Sequence, residues 1–492
     1  MPPSPKVAPR TPGTIRPVRL VLVSVLVAAA ACGRPAPADA PAGGTTSAGT
    51  GAAPATPPAA HRLAAPGRDA ATPAIAAMGS RVVVTWGSTA AGGRIDIMAA
   101  VSEDGGVTFG APVTVNDAVA DVRVGGEQPP RVAFASADVV VVVWPARRGT
   151  ASEIRAARST DGGRTFGASF PVHPSGLPGL RGWASVSGDG QGRAYVAWLD
   201  GRNADPAAGS AHAHADAAPT ASSTAHEHAA GPAAAPATRT SPRQDLFRAV
   251  IEADGAVREQ AVATDVCFCC KTAIVATPSG VDMAWRHIFP QSMRDIGFAH
   301  LGAALPSAGT PGAAPAHDHG GAPAAAPAGD VVRVSADHWQ IDACPDDGPA
   351  MVVDASGARH VVWPTMVQGD KPEKAVFYAT SGDGRTFSAR TRLSEAADGV
   401  ASHPQIALAP DGTLATAWDE RSGGTVRVRL RLHPAGAADW QAADVMQDST
   451  AADDRVPAYY PALASTSDAW VIAWTSASEP DSAIVVRRLP RR

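Results

Sequence analysis

Two short stretches of the chain hold the side chains best able to do chemistry: D-V-C-F-C-C-K-T, with Cys267, Cys269 and Cys270, and I-D-A-C-P-D-D-G-P, with Cys344. Three chemistries are open to these thiols. In an oxidising compartment an even count favours disulfides, with Cys344 bonded to one of the cluster or a tight link formed inside C-F-C-C. Dense thiolates with His and Met nearby instead suit a soft ion such as Cu(I). On that reading Cys267, Cys269, Cys270, Cys344, His287, His338 and Met293 are the candidate ligands and copper is the candidate cofactor. The spacing does not favour zinc. A redox-active thiol group is the third possibility.

Histidine clusters elsewhere. The segments 203–242 and 303–329 are Ala/Pro-rich and carry His212, His214, His226, His228, His317 and His319, six of the chain's fourteen histidines. Such pairs suit loose capture of Cu(II), Zn(II) or Ni(II), or are drift in a low-complexity background. Both segments read as inserts, and they are expected on opposite faces of the domain.

The elements that must position the cysteines repeat along the chain. Seven short apolar runs end in Trp86, Trp144, Trp198, Trp285, Trp363, Trp418 and Trp474, spaced 58, 54, 87, 78, 55 and 56 residues apart. The period is near 55 once the two inserts are set aside, and each unit reads as four short strands. A blade of four antiparallel strands has two faces to cover, so such units stack around an axis. The pattern predicts an all-β chain, a seven-bladed β-propeller of four-stranded antiparallel blades. The seventh unit has only three strands, and the segment near Arg62 is placed to supply the fourth. Both cysteine stretches fall where an outer strand leads into the next inner strand, at the axial mouth.

The turns between third and fourth strands carry a specific motif: S-E-D-G-G-V-T-F (Ser102, Asp104, Gly106, Thr108, Phe109), S-T-D-G-G-R-T-F (Ser159, Asp161, Gly163, Thr165, Phe166) and S-G-D-G-R-T-F (Ser381, Asp383, Gly384, Thr386, Phe387). Asp and Ser can bond turn amides, Gly accepts positive φ, and the ring packs back into its blade. These turns resemble the Asp boxes, or BNR repeats, of sialidases and related propellers. A six-bladed sialidase-type propeller is the alternative count that the resemblance offers.

Resemblance to sialidases would also imply three arginines gripping a carboxylate, a Tyr nucleophile backed by Glu, and an acid/base Asp. The early R-I-P motif is missing, and of four tyrosines only Tyr459 and Tyr460 stand where a nucleophile is needed, with no Glu adjoining them. The expectation is therefore a non-enzymatic binding propeller, handling a soft metal at its mouth. An exo-sialidase-type glycosidase is the alternative. Asp200, Arg202, Asp419, Glu420 and Arg421 follow Trp strands toward the same mouth as ion-paired loop ends.

The N-terminus addresses the chain. Lys6, Arg10, Arg16 and Arg19 precede the apolar run 20–31, too short for a comfortable bilayer span, and A-A-A-C-G places small residues before Cys32. This resembles a bacterial lipoprotein signal, which implies removal of 1–31, lipid on Cys32 and, with Gly33 next, transfer to the outer membrane. Residues 32–60 hold almost no bulky apolar side chains and read as a disordered tether to a propeller over 61–492. With a net charge of −4 and no basic field, nucleic acid is excluded as a partner. The expected chain is a monomer held at a membrane, with a metal ion, a glycan or an envelope protein as its ligand.

Overall fold

The Trp-ended strands are apolar at consecutive positions rather than alternate ones, so both faces of any sheet they join must be covered. Val82, Val83, Val84 and Trp86 are all fully buried, and so are Val140, Val142, Val143 and the other six tryptophans of the series. A computed structural model describes residues 60–491 apart from 150, 174–177, 204–242, 306–329, 342–344, 346, 370–371, 396–398, 423, 447–455 and 478–481. The leader, Cys32, the tether, almost all of both histidine inserts and Cys344 lie outside the described residues.

The fold is all-β and built of four-stranded antiparallel sheets, as the sequence predicts. Among the described residues the strands form seven successive sets, whose first strands are Arg68–Met78, Arg131–Phe134, Arg181–Gly188, Ala273–Thr277, Ala350–Val353, Val400–Leu408 and Ala458–Ser465. The second set has one extra short strand, Asp121–Val122, and a single parallel bridge, Lys374 to Val400, joins the fifth set to the sixth. The first strand of each set packs against the first strand of the next, and Ala458–Ser465 packs against Arg68–Met78. His61–Leu63 pairs with Ala483–Pro490 and gives the seventh set its fourth strand. Among the described residues no helix is long and apolar enough to cross a membrane.

The three Asp boxes have one geometry. Ser159 Oγ accepts from Gly163 N at 2.8 Å, and Asp161 Oδ1 accepts from Arg164 N and Thr165 N at 3.0 and 2.9 Å. Ser102 and Asp104 serve Gly106 and Thr108 in the same way, as Ser381 and Asp383 serve Gly384 and Thr386. The hydrogen bond from the Thr108 hydroxyl leads the causes that hold the Asp104 carboxyl down at about 2. Phe109, Phe166 and Phe387 pack onto the hydrophobic core.

Each box also pins its sheet to the one before it. A Cβ on Gly106 would meet Val471 of the seventh sheet at 3.1 Å, one on Gly163 would meet Val83 and Val101 of the first at 3.2 Å, and one on Gly384 would meet Phe298 of the fourth at 3.1 Å. Gly163 has φ +94° as well. Gly163→Ala therefore costs about 1–3 kcal/mol in urea unfolding. Gly167→Ala, whose new Cβ makes only an ordinary contact at 3.6 Å, stays within about 0.5 kcal/mol. Equal costs for the two would contradict this account of the box.

Candidate functional site

Four first strands carry the same irregularity near their beginning. The ladder shifts register between Ala71 and Ala74, Gly182 and Ser185, Ser402 and Gln405, and Tyr459 and Ala462. Inside each bulge one residue takes a positive φ of 54–55°: Thr72, Trp183, His403 and Tyr460. A bulge re-aims side chains and leaves an amide without its ladder partner. Each of these four amides finds an acceptor on the preceding sheet or the loop leading into it. Thr72 N donates to Thr475 Oγ1, Trp183 N to Gln128 Oε1, His403 N to Asp347 Oδ2 and Tyr460 N to Asp419 Oδ2, at 2.7–3.1 Å.

Three of these residues, Thr72, His403 and Tyr460, open onto one cavity of about 320 Å³ between the first, sixth and seventh sheets. Its wall also holds Tyr459, Asp419, Arg421 and Asp69. His403 stands between two carboxylates, with Nδ1 2.7 Å from Asp419 Oδ2 and Nε2 2.5 Å from Glu127 Oε1. Burial opposes its charge, but Asp419 and Glu127 outweigh burial and raise its pKa to about 10. The Tyr460 ring lies 4.5 Å from the imidazole, centroid to centroid. Burial, then the charges of Glu127 and Asp419, push the Tyr460 phenol far above its ordinary value and keep it protonated.

A second ionic cluster adjoins the first. Asp347 is fully buried and lies 3.5 Å from Lys271 Nζ and 3.4 Å from Lys374 Nζ. Burial would raise its pKa, but Lys271, Lys374 and His403 together hold it well below the usual carboxylate range.

The cysteines lie beside this cluster. Val257–Cys267 is the outer strand of the third sheet, and the chain turns through Cys269 and Cys270 into the first strand of the fourth. The three sulfurs lie within 4.8 Å of one another, and all three residues are buried against Trp183 and Phe268. Cys269 is in a disulfide, whereas Cys267 and Cys270 are free. The Cys270 thiol donates to Cys267 Sγ at 3.3 Å, and that bond, helped by the charges of Arg294 and Arg286, pulls the Cys267 thiol below its ordinary value. Burial pushes Cys270 up.

The other candidate metal ligands stand elsewhere. Among the described residues the sulfur trio is the one group of three or more metal-capable His, Cys, Asp or Glu side chains, and neither His287 nor His338 joins it. The His287 ring packs edge-on against Phe289 and takes a hydrogen bond from Trp285 Nε1 at 3.4 Å. His338 is exposed, and Met293 is half-buried with its backbone bridged to Phe289 and Gln340. With Cys269 oxidised, the trio presents two thiols.

No protein-family model and no curated protein matches this chain. Solved structures resemble it at low identity. A Penicillium chrysogenum α-L-arabinanase is 12% identical, with 85% of this chain and 93% of its own covered and a TM-score of 0.42. A Trypanosoma rangeli sialidase is 11% identical, with 75% and 58% covered and a TM-score of 0.41. An ulvan lyase of polysaccharide lyase family 25 is 8% identical, with 87% and 96% covered and a TM-score of 0.49. Likeness this distant says nothing of what the present chain binds or cleaves.

Sequence reasoning brought Tyr459, Tyr460, Asp419 and Arg421 to the mouth but missed Glu127, Lys271, Asp347 and His403. A signal was present. The dipeptides Thr72-Pro73, His403-Pro404 and Tyr460-Pro461 mark three of the bulges at corresponding places in their units. Two buried arginines serve backbone carbonyls: Arg286 donates to those of Asp347, Arg294 and Pro364, and Arg294 Nε donates to that of Ile341.

Two expectations follow. His403 is raised from about 6.5 in the unfolded chain to about 10 in the fold. Its ion pairs therefore stabilise fully below pH 6.5 and are lost as pH rises through 10. The difference in urea midpoint between the native chain and His403→Gln should shrink over that range, and a constant difference would contradict the charged strut. For the thiols, iodoacetamide in denaturant without reductant should label Cys267 and Cys270 and spare Cys269, as read by peptide mass spectrometry. Labelled Cys269 would remove the disulfide from the account.

Proposed function

We propose that this chain is an exported, lipid-anchored seven-bladed propeller that binds a saccharide-sized polar ligand at its mouth without cleaving it. The observation that carries this reading is the cavity of about 320 Å³ walled by Tyr459, Tyr460, Arg421, Asp69 and Asp419. Its size is at the lower end of the range for small-ligand pockets, about 300–1,000 Å³, which suits one or two sugar rings. Aromatic faces cover the apolar face of a sugar, while carboxylates and a guanidinium take its hydroxyls. Lipid on Cys32 and the tether over 32–60 would hold the mouth off the outer membrane, and the domain would act as a monomer.

Binding without turnover is supported by how the reactive groups are engaged. Asp419 is committed to His403 and to the Tyr460 amide, and Glu127 is committed to His403. A general acid or base has to exchange a proton with substrate; Glu127 does not line the cavity, and Asp419 reaches it while its Oδ2 holds the imidazole and the Tyr460 amide. Tyr460 is held as a phenol, the poor form for a nucleophile. Among the described residues Arg421 is the one arginine that lines the cavity, where a sialidase-type grip uses three.

Calorimetry of the full chain against ligands selected on a glycan array tests this. Tyr459→Ala and Arg421→Ala should each weaken binding about tenfold or more. Aryl sialosides and aryl arabinosides should stay intact, and hydrolysis that Tyr460→Phe abolishes would put a glycosidase in place of the binding protein.

A second reading, capture of Cu(I) by Cys267, Cys269 and Cys270, is favoured by the closeness of the three sulfurs. It requires the Cys269 disulfide to be reduced first. Stoichiometric copper in reduced protein, absent from a Cys267/Cys269/Cys270→Ser variant, is its signature; equal copper in both would end it.

A further inference from the structure

The first strands of all seven sheets line a second cavity, of about 160 Å³, distinct from the saccharide pocket. Aliphatic residues outnumber polar ones around it, but the surface exposed to the cavity is mostly polar, and Arg131 and Lys271 both line it, together with Ser185, Thr272 and Gln405. Arg131 Nε is buried and has no hydrogen-bond partner. Lys271 Nζ is engaged, donating to the Pro404 carbonyl at 2.9 Å and facing Asp347 at 3.5 Å.

The charges around this cavity do not balance. Four cations meet in one network: Arg131, Lys271, Lys374 and His403, the last made an imidazolium by a carboxylate on each ring nitrogen. Three anions face them: Glu127, Asp347 and Asp419. Asp347 is shared by two lysines, and His403 takes both Glu127 and Asp419. Arg131 feels Glu127 and Asp347 through space but makes no ion pair with either, so the surplus positive charge falls on it. Arg131 is half-buried, and the cost of an uncompensated charge there is not escaped by loss of its proton.

We propose that the axial cavity binds one small monovalent anion, a halide or a small carboxylate, between Arg131 and Lys271. The anion completes the charge balance of the network and lies against the terminal nitrogens of the Arg131 guanidinium, which no group among the described residues engages. The hydroxyls of Ser185 and Thr272 line the same space, but their hydrogens are already placed, Thr272 donating to the Trp183 carbonyl at 2.9 Å and Ser185 to Thr272 Oγ1 at 2.8 Å, so the cations alone hold the anion. The competing way to shed the charge is loss of a proton from Lys271, whose pKa is pushed down by burial despite Asp347. In that case the site stays empty of anions at neutral pH.

Thermal unfolding of the full chain decides between them. At equal ionic strength and pH 7, chloride and formate are each titrated against PIPES, whose dianion is too large for the cavity. A bound anion predicts a saturating rise in Tm of about 2–4 °C that Arg131→Gln abolishes. The chloride and formate arms distinguish a halide from a carboxylate. Identical Tm values in all three salts, or the same rise in Arg131→Gln, would overturn the proposal. Should Arg131→Gln not fold, bromide-soaked crystals of the native chain give the answer: an anomalous peak in the axial cavity against the Arg131 guanidinium is expected, and bromide on the outer surface alone would overturn the site.

Discussion

An amide displaced from its own ladder needs an acceptor, and much of the mouth follows from where four such amides find one. Leaving a buried N–H unpaired costs about 1–3 kcal/mol. Thr72, Trp183, His403 and Tyr460 each reach across to the neighbouring sheet or the loop leading into it. Two of the acceptors are carboxylates, Asp347 and Asp419, so negative charge is brought to the buried centre by the backbone's requirement. Those charges then call for cations, and Lys271, Lys374 and His403 supply them. Chemistry at the mouth is thus downstream of sheet packing.

The same packing explains why the sheets need one another. Each Trp-ended strand is apolar on both faces, so its tryptophan is buried only when a neighbouring sheet covers it. The Asp boxes act at the far end of the third strand, where Gly106, Gly163 and Gly384 let a turn approach the preceding sheet more closely than a Cβ allows. Bulge amides at one end and box glycines at the other hold neighbouring sheets in register.

What was legible in the sequence was local. The Trp series, the Asp boxes and the fourth strand supplied to the last sheet by the segment near Arg62 all depend on residues within one unit or on its period. The site was legible in part: Asp419 and Arg421 could be placed at the mouth because they follow a Trp-ended run, and Tyr459 and Tyr460 because they open the seventh unit. Its electrostatics were hidden, because Glu127 and His403 are 276 residues apart in the chain yet 2.5 Å apart in space. The cysteines drew attention by type, and Cys267, Cys269 and Cys270 do cluster. His287 and His338 were grouped with them by shared loop position alone, which does not fix where an imidazole points.

The account rests on the mouth cavity being a ligand site rather than a gap between sheets. Crystals of the full chain soaked in a mixture of mono- and disaccharides test that most directly. The account predicts a sugar ring against Tyr459, with a hydroxyl or carboxylate on Arg421 and the His403 strut unmoved. Ordered sugar at another surface, with the space between Tyr459 and Arg421 holding only water, would contradict it.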